Sequence, residues 1–354
     1  MGLNAMNLSP QQLKAANLTR LVEDSSPAFL AMMSGQRDDI LRAATVTDCI
    51  ARGYAPKAYN VADFTIIRVG KTFHLFHIPR VPGHSAIHLG HEHWLAHATS
   101  TDLDTWISRD PVLCVDSTIP FEAGHLWAPF VFENDGVYYM YYTGLSSEPS
   151  QVLCLATSTD PELNIWHRYQ GNPLYPFEGL DWHWKNQQGH GRHGRDPHVV
   201  RVGDHFLLAY TTMHANGCPA VGGFISTDLK QWDDIGPILY RPSAAGGWMP
   251  ESVNIQPLAD GQWALIPSMT PGLEVYLSPD PHSWHDAKRL PISYSRPDGY
   301  DPMGPEVLLR NDARGEWLVA FFENERLFIG VLDIKTWALR KLTSRAEVEA
   351  WLPR

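Results

Sequence analysis

Three acidic residues, Asp63, Asp196 and Glu251, each stand at the start of an apolar, strand-like segment in widely separated parts of the chain. Carboxyl groups that share one pocket raise each other's pKa, which is costly to a fold that makes no use of them. The same property keeps one group ionised and another protonated near neutral pH, as hydrolysis of a glycosidic bond requires. Each acid alone is more often a turn former, but the three together predict a catalytic set.

The three acids lie within a unit that recurs along the chain. Each copy has an apolar run, a Gly or Asp turn and an aromatic run, and later a Ser/Thr-Asp turn followed by a tryptophan. The five tryptophans recur at intervals of 52 to 66 residues and are most simply packing residues: Trp106, Trp166, Trp232, Trp284 and Trp337. Four strands in a unit of this size are typical of a propeller blade. We therefore expect an all-β fold, a five-bladed β-propeller over residues 59–354, and favour it over a solenoid because the hairpins are tight.

Residues 1–58 differ in pattern from the repeats. Ser9 followed by Pro10 resembles a helix N-cap with proline in the first turn, and residues 38–44 are also helix-like. We expect a short helical N-terminal extension that covers one face of the propeller or contacts a second subunit, which would make the protein a homo-oligomer.

Composition restricts the function. The 354 residues carry a formal net charge of −11, which argues against a nucleic-acid partner. No stretch of about 18 apolar residues occurs, so no membrane partner is expected. Four cysteines without a CxxC pair, and the lack of a secretory signal, predict reduced thiols in a cytoplasmic protein. The histidine spacings fit no strong metal motif, and we expect neither a metal nor any other cofactor.

Aromatic and polar side chains near the predicted mouth suggest a carbohydrate substrate. A loop at residues 181–194, rich in Gly, Trp and His, leads directly into Asp196. Such aromatic rings can stack on sugars, or they can pack beneath a surface loop. His97 is interpreted as a sugar contact or as a structural histidine. The predicted substrate-binding residues are Trp127, Trp182, Trp184, Arg195, Trp248 and His97.

The repeats and motifs together resemble the five-bladed propeller glycoside hydrolases of families 32, 43 and 68. Arg195-Asp196-Pro197 is similar to the Arg-Asp-Pro motif of the fructosidase families, whose Asp stabilises the transition state and holds sugar hydroxyls. Glu251 matches the general acid, although Ser252 stands where family 32 usually has Cys. Asp63 matches the first-blade Asp, which is the nucleophile in families 32 and 68 and the general base in family 43.

The resemblance implies a retaining, β-fructofuranosidase-like enzyme that acts on a small oligosaccharide or glycoside. Family 32 usually has Asn-Asp-Pro-Asn around the nucleophile, whereas this chain has Ala62-Asp63-Phe64, and residues 127–129 are more like family 43. An inverting arabinofuranosidase or xylosidase is therefore the alternative enzyme. A non-catalytic sugar-binding propeller and a protein-interaction propeller are alternatives from other classes.

Overall fold

The computed structural model describes residues 45–56, 59–83, 92–116, 118–145, 151–175, 177, 179–184, 193–241, 250–268, 272–295 and 302–352. The helices expected within residues 1–44, and Trp248, lie outside these described residues. The described part is nearly all strand, as predicted, with two short α-helices, α1 (Cys49–Arg52) and α2 (Arg345–Glu349), and a 3-10 turn at Pro120–Glu122. None of the described helices has the length and apolar character needed to cross a membrane.

The strands form five successive four-stranded antiparallel blades, with one extra strand on the first blade. Blades four and five join into one eight-stranded sheet through a parallel pairing of residues 293–294 with residues 338–339. Blade one contains β1 (Thr45–Val46), β2 (Asn60–Val69), β3 (Thr72–Arg80), β4 (Trp94–Ser100) and β5 (Trp106–Cys114). Blade two contains β6 (His125–Asn134), β7 (Val137–Leu145), β8 (Gln151–Ser158) and β9 (His167–Arg168). Blade three contains β10 (Gly194–Val202), β11 (His205–Met213), β12 (Pro219–Ser226) and β13 (Asp233–Tyr240).

Blade four contains β14 (Glu251–Pro257), β15 (Trp263–Ser268), β16 (Leu273–Ser278) and β17 (Lys288–Tyr294). Blade five contains β18 (Met303–Asn311), β19 (Glu316–Glu323), β20 (Arg326–Asp333) and β21 (Ala338–Lys341). The first strand of each blade contacts the first strand of the next, and β18 of the last blade contacts β2 of the first. This ring of inner strands confirms the predicted propeller and excludes an open solenoid.

Apolar packing between neighbouring blades holds the ring together. Five hydrophobic clusters each combine residues of two adjacent blades, and the cluster between blades five and one completes the circle. Cys49, Ile50 and Tyr54 pack into that closing cluster, and the Tyr54 backbone pairs with Leu327 of β20. Residues 45–56 thus help to close the ring, while the predicted division between residues 58 and 59 remains a prediction.

The Ser/Thr-Asp turn has a local physical reason. In blade one, the Ser100 hydroxyl accepts from the backbone N–H of Leu103 at 2.8 Å, and the Asp102 carboxylate accepts from Thr105 at 2.8 Å. Leu103 adopts a left-handed φ of 60°, and its carbonyl accepts the Trp106 indole N–H at 3.2 Å. The five repeat tryptophans are all buried, which confirms that they are packing residues.

A buried carboxylate links blade five to blade one. Glu306 of β18 accepts the Thr65 hydroxyl at 2.7 Å and the Ile66 backbone N–H at 3.2 Å. Burial raises the pKa of Glu306 to about 8, although the Thr65 and Ile66 donors oppose this shift. The folded protein therefore binds a proton at Glu306 in a pH range where the unfolded chain has released it.

We predict that Glu306 makes stability depend on pH between its ordinary pKa of 4.5 and about 8. Because the folded-state pKa is the higher one, the free energy of unfolding of the wild type should fall, relative to Glu306→Gln, as pH rises through this window. Urea unfolding at pH 5, 6, 7 and 8 measures the difference. Asp312→Asn, on an exposed turn of the same blade, is the control. If the difference in free energy of unfolding between the wild type and Glu306→Gln did not change with pH, the prediction would be contradicted.

Candidate active site

Every inner strand is interrupted near its first residues by a β-bulge, in which two residues face one residue of the neighbouring strand. The bulged pairs are Ala62–Asp63, Ala128–Pro129, Asp196–Pro197, Ser252–Val253 and Gly304–Pro305. A bulge changes the direction in which side chains project and is common next to active sites. The five bulges therefore direct their side chains towards the same end of the propeller axis.

The backbone at these bulges is unusual. Ala128, Asp196 and Ser252 have φ values of 55° or less in the left-handed region, and Gly304 has a φ of 58°. Asp and Gly tolerate this region better than other residues. Such conformations cost free energy and persist only where surrounding contacts hold them. The first bulge residue is thus held rigidly in at least these four blades.

The three predicted acids occupy three different positions of this bulge: Glu251 precedes it, Asp196 is its first residue and Asp63 is its second. The bulge residues of all five blades line one hollow on the axis. The Ser252 hydroxyl donates to Asp63 Oδ1 at 3.3 Å, and the Ser252 backbone N–H donates to Asp196 Oδ2 at 3.1 Å. Asp63 and Asp196 therefore lie together in the hollow, and the chemical roles of the three acids stay predictions.

Arg195 links the other two carboxylates. Its Nη2 donates to Glu251 Oε1 at 2.7 Å, and its Nε lies 3.7 Å from Asp196 Oδ2. Thr211 completes the support of Asp196 by donating to the same oxygen at 3.1 Å. Arg195 was predicted to bind substrate, and in the free protein its guanidinium is bonded to the acids. The positive charge of Arg195 is therefore placed to offset the negative charges of Asp196 and Glu251.

Burial and like charges hold a proton in the hollow. Burial, with the neighbouring carboxylates of Asp196 and Glu251, raises the pKa of Asp63 to about 7, while the Arg80 charge opposes this shift. Burial also raises the pKa of Asp196, against the opposing influence of Arg195. The site thus contains a carboxyl group, Asp63, that exchanges its proton near neutral pH.

The predicted aromatic contacts separate into distinct groups. Trp127 occupies the position before the bulge in blade two, as Arg195 and Glu251 do in blades three and four. Trp182 instead packs beside the core of blade three, and its indole donates to Asp234 at 3.0 Å. Trp184 pairs through its backbone with β11. None of the three tryptophans lines the hollow itself, but Trp127 directly precedes the lining residues Ala128 and Pro129. Trp127 is therefore the aromatic candidate that stays a prediction.

His97 does not contact the hollow, which corrects one of the two interpretations made from the sequence. It is buried inside blade one, stacks on Phe76 and shares a hydrogen bond of 3.1 Å with His74. Burial lowers its pKa well below the ordinary value. His97 is therefore a neutral structural histidine, because the aromatic residues around it leave no room for a sugar.

Sequence reasoning missed several polar residues around the acids. Glu306, His198 and Asn254 stand at the position after the bulge and line the inner end of the hollow. Aligning the five repeats on the bulge, rather than on the first residue of each strand, would have found them. Over the described residues, no group of three or more His, Cys, Asp or Glu side chains is arranged to hold a metal ion.

A five-bladed propeller with three converging acids defines the class of propeller glycoside hydrolases. Within this class the chain belongs to family 32: residues 56–289 match the glycosyl hydrolases family 32 N-terminal domain. Among curated proteins, it is 36% identical over 89 residues to acid beta-fructofuranosidase 1, vacuolar, of a Rosa hybrid cultivar. That match covers 24% of this chain and 15% of the rose protein.

Solved structures show the same fold. Fructan 1-exohydrolase IIa from Cichorium intybus matches with a TM-score of 0.61 at 16% identity, over 81% of this chain and 59% of the chicory chain. A thermostable family-43 glycoside hydrolase matches with a TM-score of 0.59 at 16% identity, over 80% of this chain and 93% of its own. The chain thus spans little more than half of the chicory enzyme.

We predict that Asp196→Asn lowers the pKa of Asp63 below 7, because one neighbouring negative charge is removed. Carboxyl carbon NMR of aspartate-labelled protein over a pH series measures this shift, and Asp63→Asn identifies the resonance. The pKa of Asp160, which its own turn N–H groups lower in blade two, should not change and is the internal control. An unchanged or higher Asp63 pKa in Asp196→Asn would show that the two carboxyls are not coupled.

Proposed function

We propose that this protein is a retaining glycosidase that cleaves a β-fructofuranoside in a small oligosaccharide or glycoside. The observation that carries the proposal is that Asp63 and Asp196 line one hollow, with Glu251 directly before the lining residue Ser252 and joined to the group through Arg195. Membership of family 32 supports the substrate class. The similarity to a rose beta-fructofuranosidase supports it further.

The reaction follows a double displacement. The Asp63 carboxylate attacks the anomeric carbon while Glu251 donates a proton to the departing glycosidic oxygen, which forms a covalent glycosyl-enzyme and frees the aglycone. Glu251, now ionised, takes a proton from water, and the resulting hydroxyl attacks the same carbon. Asp63 is then released as a carboxylate. Two successive inversions restore the starting anomeric configuration.

Asp196 supports the charge that develops on the sugar ring. Its carboxylate is fixed by the Ser252 backbone N–H and the Thr211 hydroxyl, so little reorganisation is needed when the oxocarbenium-like charge appears. Its remaining oxygen is available to accept sugar hydroxyls. This division of labour explains why three acids are placed together when the chemistry itself uses two.

Protonation sets the conditions for this mechanism. Because the pKa of Asp63 is about 7, an ionised nucleophile is present near neutral pH and becomes scarce in acid. Arg195 donates to Glu251 in the free protein. The acid role of Glu251 therefore requires that the leaving group of a bound substrate take the place of this contact.

The alternative enzyme is an inverting arabinofuranosidase or xylosidase, which the similarity of residues 127–129 to family 43 favours. In that case Asp63 activates water instead of attacking the sugar, and the carboxyl groups of Asp63 and Glu251 stand further apart, at about 6.5 to 9.5 Å rather than 5 to 5.5 Å. A cytoplasmic location stays a proposal, and it is supported by four cysteines that form no disulfide, of which Cys114 is exposed.

We predict that Asp63→Asn and Glu251→Gln each lower kcat on the natural substrate by at least about 10²- to 10⁴-fold, because each removes a group that acts on the reacting bonds. Steady-state kinetics on sucrose, short fructans and nitrophenyl glycosides measure the loss. Asp312→Asn is the control for folding and handling. Normal turnover by Glu251→Gln on every substrate would favour a site in which this residue has no chemical role.

The two roles differ in what restores activity. An aryl leaving group needs no proton, so Glu251→Gln should recover much of the first step on a nitrophenyl furanoside, whereas Asp63→Asn should not. Proton NMR of the first product identifies its anomeric configuration. A product with inverted configuration would reject the retaining mechanism and support the alternative enzyme.

A further inference from the structure

A completely buried carboxylate lies beside the predicted sugar platform. Glu92 accepts the Arg80 Nε–H on one oxygen and the Trp127 indole N–H on the other, each at 2.6 Å. A carboxylate inside a protein is tolerated only when it is paired and hydrogen-bonded in this way. These two donors come from different elements, Arg80 from the end of β3 and Trp127 from β6. Glu92 therefore ties blade one to blade two directly before the bulge of blade two.

Trp127 is equivalent in register to two residues of the acid group. It precedes the bulge of blade two just as Arg195 and Glu251 precede the bulges of blades three and four. The next two residues, Ala128 and Pro129, line the hollow. The indole is thus directed to the same end of the axis, and the bond to Glu92 fixes its rotation.

Arg80 stands close to the proposed nucleophile along the sheet. Arg80 pairs in register with Asn60, on the same strand as Asp63, and Pro79 pairs with Val61, directly before the bulge. The charged groups that act on Asp63 include Asp196, Arg80, Glu251 and Glu92, and Arg195 also interacts with it. Arg80 lowers the pKa of Asp63, whereas Glu92 raises it. The ion pair therefore places two opposing charges beside one carboxyl group.

We propose that Glu92 is a positioning residue of the active site, which holds the Trp127 indole against the sugar and the Arg80 guanidinium beside Asp63. Its kinetic consequences rest on the proposed function, whereas its effect on Asp63 does not. Neither Glu92 nor Arg80 belongs to a motif that the sequence singled out.

The fold supplies a matched control in blade two. Glu122 is also completely buried, and it accepts Arg168 on one oxygen and the Tyr142 hydroxyl on the other. It thus has the same type of partners as Glu92, but neither Glu122 nor Arg168 is among the principal charges that act on Asp63. A purely structural role predicts that Glu92→Gln and Glu122→Gln behave alike.

The experiment compares Glu92→Gln, Arg80→Gln, Trp127→Phe and Glu122→Gln for kcat, KM, the pH profile of kcat/KM and thermal stability. Glu92→Gln and Trp127→Phe should each raise KM roughly tenfold, since one hydrogen bond to a charged group is lost. The double variant Glu92→Gln/Trp127→Phe should raise KM no more than either single variant, because both substitutions remove the same hydrogen bond. Glu122→Gln should lower thermal stability and leave KM and the pH profile unchanged.

The pH profile of kcat/KM separates the two explanations, because a purely structural role of Glu92 would leave this profile unchanged. The limb that titrates with Asp63 should move to lower pH in Glu92→Gln, because a negative neighbour is removed, and to higher pH in Arg80→Gln, because a positive neighbour is removed. The proposal would be overturned if this limb moved equally, or not at all, in Glu92→Gln and Arg80→Gln. It would also be overturned if Glu122→Gln raised KM as Glu92→Gln does.

Failure of the proposed function would be recognised separately. If the wild type turns over no furanoside, the Asp63 resonance can still be titrated by carboxyl NMR in Glu92→Gln and Arg80→Gln. Opposite shifts of the Asp63 pKa would support the placement of the two charges without any activity. Shifts of the same sign would overturn it.

Discussion

The repulsion among three carboxyl groups around one hollow is the constraint on which the rest of the site depends. Asp63, Asp196 and Glu251 can share this space only because one guanidinium, two hydroxyls and a backbone N–H offset their charge. The residual repulsion and burial appear as a pKa of about 7 for Asp63. The arrangement is unfavourable for stability and useful for proton transfer, which is characteristic of catalytic sites.

The propeller supplies this arrangement by repeating one irregularity. Each blade has the same bulge at the axial end of its inner strand, so one backbone geometry is presented five times around the hollow. The positions before, within and after the bulge can then hold different side chains in each blade. Catalytic diversity comes from substitution at these positions, while the interblade cores keep the frame unchanged.

Carboxyl groups inside the propeller follow one rule. Glu92 with Arg80, Glu122 with Arg168 and Glu306 with Thr65 each pair a carboxyl group with donors from another element. Such pairs contribute less to stability than apolar packing of similar size. Their value lies in fixing how blades meet, and near the acids it extends to the local electrostatic field.

The sequence by itself determined the repeat, the all-β character and the three acids, because hydrophobic period, turn residues and spacing are local properties. It also determined that the repeat tryptophans are core residues. Only the tertiary structure decided that His97 lies inside a blade, that Trp127 directly precedes residues lining the hollow, and that Glu92 accepts its indole N–H. These facts depend on the exact register of each bulge and on contacts between blades, and a single strand carries no information about its neighbour's register.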